Sequence, residues 1–191
     1  MKTVFLMGDS IRMGYDRYVR DALAGEAFVY YPGENCRFAQ YILRNAHEWI
    51  ARECQPERVD VVHWNAGLWD VLRLFGDEPL TPASQYARML ERVALRIRHL
   101  CPRAAQVFAL STPVVESRYD PQKGAMRYNA EIEEYNRAAC ETMARLGVPV
   151  NDLYAVAKAL PESDWSDATH LYTPLGTQAL GDAVTRAIRS L

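Results

Sequence analysis

Five short apolar runs, each closed by a turn and separated from the next by a stretch of helical period, constrain this chain more than any other feature. Thr3 to Met7 runs into Gly8-Asp9-Ser10, and Ala27 to Tyr31 runs into Pro32-Gly33. Val59 to Trp64, Gln106 to Ser111 and Gly147 to Val150 repeat the pattern. Runs this short and this apolar read as strands buried on both faces, because a strand with one wet face would alternate. Between them, Ile11 to Leu23, Phe38 to Arg52, Ser84 to Leu100 and Tyr128 to Leu146 place apolar side chains three and four residues apart, the spacing of one helix face. Pro82 and Pro102 bracket the third helix, Gly147 closes the fourth, and a last helix starts near Pro174 with Thr173 as its cap and runs to the C-terminus.

Strands alternating with helices pair in parallel through right-handed crossovers. The expected fold is therefore α/β, a three-layer α/β/α sandwich on a five-stranded parallel sheet, with residues 1–191 forming one domain. In such sheets ligands bind outside the carboxyl ends of the strands. The loops after Met7, Tyr31, Trp64 and Ser111 are where chemistry is expected.

Composition narrows the function. The chain has 191 residues, enough to bury roughly 70% of the surface of its unfolded form in a single core. Twenty-two Lys and Arg against 24 Asp and Glu leave a formal net charge of -2, which gives no field to attract nucleic acid. No apolar run approaches the ~20 residues that cross a bilayer, and the apolar stretch before Gly8 is too short for a secretory signal, so the chain reads as cytoplasmic. Cys36, Cys54, Cys101 and Cys140 form no CxxC pair; free structural thiols in a reducing compartment are expected, with no metal.

Ser10 follows the first strand and opens the first helix, where it either caps the helix or serves as a nucleophile. A serine nucleophile needs a base within hydrogen-bond reach, usually an imidazole oriented by a carboxylate. Of the four histidines, His47 and His99 sit within helices and His63 inside a strand. His170 lies in Ser166-Asp167-Ala168-Thr169-His170, a polar loop before the last helix. A three-residue spacing in a turn can return the Asp167 carboxylate to one ring nitrogen while the other faces Ser10. Ser10, His170 and Asp167 are thus the candidate triad, and Asp9 is assigned to holding loop backbone.

Met7-Gly8-Asp9-Ser10, together with Asp167-Ala168-Thr169-His170-Leu171 followed by Pro174 and Gly176, resembles the first and last blocks of the SGNH, or GDSL, hydrolase family. The resemblance covers nearly the whole chain and implies a flavodoxin-like sandwich, a serine esterase activity without a cofactor, and an oxyanion hole built from the Ser10 N–H and a glycine N–H after the second strand. Gly33 occupies that glycine's place, where it is equally a plain turn glycine. The family's Gly-x-Asn-Asp appears here as Gly67-Leu68-Trp69-Asp70, so the asparagine is displaced. Asn65 is the nearby side-chain amide and stands either as the third oxyanion donor or as a loop tie; Asp70 is assigned to loop support. Tyr128 to Ile132, continuing through Tyr135-Asn136 to Val150-Asn151-Asp152-Leu153, resembles members grouped with carbohydrate esterases, which implies a short-chain, acetyl-type ester of a carbohydrate or small molecule as substrate. Trp64, Trp69 and Trp165 lie near loop ends on the ligand side, where they pack the core edge or stack on a sugar ring. The rival reading is a non-catalytic or degenerate ligand-binding module on the same sheet, against which stands the lack of a Gly-rich phosphate loop.

Overall fold

The computed structural model describes residues 1–191, position 121 by its backbone only. Strand β1 (Lys2–Met7) leads into α1 (Ser10–Ala22), β2 (Ala27–Tyr30) into α2 (Ala39–Glu53), and β3 (Val61–Trp64) into a loop carrying β4 (Arg73–Leu74) before α3 (Ala83–Leu100). Then come β5 (Ala105–Ala109), β6 (Ala125–Met126), α4 (Asn129–Leu146), β7 (Val150–Asn151), α5 (Leu153–Lys158) and α6 (Pro174–Arg189). The main sheet has five strands in the order β2-β1-β3-β5-β7, and every neighbouring pair is parallel.

Burial explains the apolar runs of the inner strands, while the edge strand β2 leaves Phe28 exposed. Val4 lies opposite Val29 on one side and Val61 on the other, and Val4 to Met7 are wholly excluded from solvent. Helices cover both faces of the sheet: α1 packs against α6, which also meets α5, and α2, α3 and α4 pack in a row. The three-layer α/β/α sandwich is the architecture expected from the alternation of elements. Strand order reverses between β1 and β3, so their carboxyl ends open the crevice where ligands of such sheets bind. Ser10 follows one of those ends and Asn65 the other.

The differences from expectation have local causes. β5 stops at Ala109 rather than Ser111 because the Asn136 amide takes over as partner: its Oδ1 accepts from the Ser111 N–H and its Nδ2 donates to the Ser111 carbonyl, each at 2.9 Å. β7 begins at Val150, not Gly147, since Gly147 has φ of 64° and terminates α4 in a left-handed cap that only glycine adopts without strain. β3 starts at Val61 because Pro56–Arg58 form a tight turn and the Asp60 carboxylate accepts from the Thr3 N–H at 2.8 Å. Two additions were not expected: the antiparallel ribbon of β4 and β6, and the short helix α5. Among the described residues no helix is long and apolar enough to cross a membrane.

Candidate active site

The first helix is capped by Asp9, whose carboxylate accepts from the Ile11 N–H at 3.0 Å. Capping by the preceding residue leaves the Ser10 hydroxyl free, and that hydroxyl lies 2.9 Å from His170 Nε2. Ser10 N–H, the first of α1, has no intrahelical acceptor, as at every helix start.

The opposite side of the site is a turn that Asp167 folds around itself. Its Oδ1 accepts from the N–H groups of Thr169 and His170 at 2.6 and 2.8 Å, while Oδ2 lies 2.7 Å from His170 Nδ1. The loop is also held by Ser166, whose N–H and hydroxyl both donate to the His170 carbonyl, and by the Val115 N–H, which donates to the Ala168 carbonyl. Burial pulls the Asp167 carboxyl upward, but the Thr169 amide, the His170 ring and the His170 amide outweigh it and hold it below the usual carboxylate range. An ionised carboxylate has no proton to give, so in the neutral form of the imidazole Nδ1 carries the hydrogen and Nε2 is the acceptor for the Ser10 O–H. The side chains of Asp167 and His170 are 53% and 25% exposed, so the group opens to solvent.

Asn65 is almost fully buried, and its Oδ1 lies 1.9 Å from where a Cβ on residue 8 would sit. Gly8 is required there by close approach, and the approach sets the Asn65 amide over the backbone two residues before Ser10. Gly33 stays outside this network: it is exposed, and nothing lies within 4 Å of its absent Cβ. The loop after β2 reaches the nucleophile's segment further along, where the Cys36 N–H donates to the Gly8 carbonyl at 3.0 Å. Asp70 accepts from the Ala39 N–H with both oxygens at 3.2 Å, tying the β3 loop to the start of α2. Its full burial pushes the carboxyl up to about 7, with the Ala39 amide and Thr81 pulling the other way.

Of the three tryptophans expected on the ligand side, Trp64 is wholly buried and meets Phe108 edge-on at 4.7 Å, and Trp165 is also buried, so both belong to the core. Trp69 alone among them is half-exposed. His63 is buried with its Nε2 3.2 Å from the Asn151 amide, and desolvation drives its pKa down to about 3.

One residue beside the triad was not anticipated. The Tyr172 ring stacks on His170 with centroids 4.6 Å apart and planes 25° from parallel, and its hydroxyl donates to the Ser10 carbonyl at 2.7 Å. The ring rests on Gly14, where a Cβ would come within 2.6 Å of it. In an extended segment, residues two apart share a side, and Gly14 is one turn along α1 from Ser10. That spacing was the available clue.

No protein-family model and no curated protein sequence matches the chain. Solved structures do. A lipase/acylhydrolase from Enterococcus faecalis superposes with a TM-score of 0.78 at 21% identity, over 100% of this chain and 96% of its own. A GDSL-like lipase from Bacteroides thetaiotaomicron gives 0.75 at 17%, over 99% and 88%. A catalytic mutant of an acetylxylan esterase from Geobacillus stearothermophilus gives 0.72 at 16%, over 98% and 94%. Over its whole length, then, the chain has the α/β/α fold shared by these lipase, acylhydrolase and esterase structures.

Proposed function

We propose that this protein is a serine esterase in which Ser10 is the nucleophile, His170 the general base and Asp167 the group that orients and stabilises the imidazole. The observation that carries the reading is the unbroken relay from Asp167 Oδ2 through both His170 ring nitrogens to Ser10 Oγ. His170 Nε2 takes the hydroxyl proton as Ser10 Oγ attacks the ester carbonyl. The tetrahedral intermediate collapses, the C–O bond to the alcohol breaks, and the leaving oxygen takes the proton back from Nε2. Water, deprotonated by the same nitrogen, then hydrolyses the acyl-enzyme.

The oxyanion formed in each half-reaction faces the Ser10 N–H and the Asn65 side-chain amide in this reading. Both are fixed by packing before substrate arrives, and a prepositioned donor acts without reorganising during the reaction. A short acyl group, acetyl foremost, on a carbohydrate or similar alcohol is the proposed substrate. Its support is the openness of the Asp167–His170 pair, the half-exposed Trp69 on the neighbouring loop, and acetylxylan esterases among the proteins of this fold.

The test is hydrolysis of 4-nitrophenyl acetate, paired with labelling by a fluorophosphonate. Wild-type protein is expected to do both. Ser10→Ala and His170→Ala are expected to lose hydrolysis with melting temperatures nearly unchanged, and Ser10→Ala to lose the label as well. Hydrolysis surviving in either variant overturns the triad, and a wild-type protein that neither turns over ester nor takes the label overturns the reading in favour of a binding module.

A further inference from the structure

Arg127 lies just past β6, and its guanidinium reaches over two of the loops that frame Ser10. Nε donates to the Leu68 carbonyl, in the loop that carries Asn65 and Trp69. Nη1 donates to the Tyr119 hydroxyl at 3.3 Å, which in turn meets the hydroxyl of Thr169, the residue before His170, at 2.8 Å. A guanidinium carries five N–H groups. Two are used, and the remaining three, on Nη1 and Nη2, have no partner among the described residues.

The charge is as exposed to question as the hydrogen bonds. Buried Arg12 and half-buried Arg73 each hold a carboxylate at 2.6 Å, from Asp16 and Glu131. Arg127 is also half-buried, and like half-buried Arg96 it has no carboxylate within ion-pair distance among the described residues; Arg127 differs from Arg96 in standing beside the loops of the proposed site. Partial burial of an uncompensated cation is costly unless something completes it. The charge is felt at the site: burial raises the Asp9 carboxyl, and among the charges that pull it back Arg127 acts more strongly than His170.

We infer that Arg127 is the anion-receiving group of the proposed active site, and that the preferred ester carries a carboxylate a few atoms from its scissile bond. The inference rests on the esterase reading and deepens it. One unpaired guanidinium edge matches one carboxylate in charge and in its two-pronged geometry, and such a pair is stronger than a neutral hydrogen bond. Arg127 is bonded to the loop that carries Asn65 and linked through Tyr119 to Thr169, the neighbour of His170, so the guanidinium belongs to the surroundings of the same site.

Two matched ester pairs distinguish where the carboxylate belongs. 4-Acetoxybenzoate against 4-acetoxybenzamide places it on the alcohol, and 4-nitrophenyl hydrogen glutarate against 4-nitrophenyl valerate places it on the acyl group, with Ser10→Ala as the blank. In at least one pair the charged ester is expected to have about tenfold higher kcat/KM, carried by KM. Arg127→Gln is expected to erase that preference and Arg127→Lys to keep part of it. No preference in either pair, or equal slowing of charged and neutral esters by Arg127→Gln, overturns the inference and leaves Arg127 a tie between loops. Titration of 4-acetoxybenzoate into the Ser10→Ala protein reads binding without turnover. About tenfold weaker binding when Arg127→Gln is added supports the anion site even where hydrolysis fails, and unchanged binding removes it.

Discussion

Tyr172 touches both reacting partners of the proposed triad without taking part in bond making, so its removal measures how much positioning contributes. The hydroxyl bond to the Ser10 carbonyl is neutral and about half-exposed, worth about 0.5–1.5 kcal/mol at most because water replaces it. The stack on His170 adds about 0.5–1.5 kcal/mol. If both contributions act on the placement of Ser10 and His170, Tyr172→Phe lowers kcat by roughly 2- to 12-fold, and Tyr172→Ala by roughly 5- to 150-fold. KM is expected to change little, since the ring holds the reacting groups and not the substrate. Gly14→Ala supplies an independent perturbation that deletes no polar group. In an exposed helix, alanine is more favourable than glycine by about 1 kcal/mol. Here its Cβ would meet the Tyr172 ring at 2.6 and 2.7 Å, so the variant is expected to be both less stable and slower. The assays are 4-nitrophenyl acetate kinetics, the rate of fluorophosphonate labelling, and thermal melts. A Tyr172→Ala protein that keeps kcat within twofold, or a Gly14→Ala protein that is more stable and fully active, refutes the reasoning.

Two further outcomes follow from the geometry. Asn65→Ala is expected to lower kcat by about 10²–10³-fold with little change in KM, the effect of losing one oxyanion donor. A loss of KM alone would show that the amide only ties the loop. Asp70 makes a pH prediction, because its carboxyl rises from the ordinary 3.8 to about 7 in the folded protein. Between those values the native state holds a proton that the unfolded chain has released, so this group's contribution to stability falls as pH rises from about 4 to about 7 and then levels off. At about 1.4 kcal/mol per pH unit the total is about 4 kcal/mol. Wild type minus Asp70→Asn in urea unfolding at pH 4.5 and 8 reads it, and a difference that does not change with pH contradicts the buried, protonated state.

How the sequence announced the fold differs from how it announced the site. The strand and helix periods are properties of neighbouring residues, so β1, β2, the four long helices and α6 were legible within a residue or two. Elements made by distant partners were not. β4 and β6 contribute two residues each to their ribbon, too few for any period, and exist because each pairs with the other across some fifty positions. The Asn136 amide that ends β5 acts from 25 residues away. Gly33 was legible as a glycine after the second strand; in the structure it is exposed, and the contact with the Gly8 backbone is made three residues further on, by the Cys36 N–H.

The sequence by itself determined the alternation that builds a parallel sheet, and the Asp167–His170 turn, whose hydrogen bonds span three residues and form wherever that turn forms. Only the tertiary structure decided that Ser10 would stand 2.9 Å from His170 across 160 residues of chain, that Tyr172 would settle on Gly14, and that Arg127 would be left without a carboxylate. Local geometry is set by bonded neighbours and can be read in order along the chain. These meetings depend on strand order and crossover packing, which bring the first helix and the last loop together at one end of the sheet.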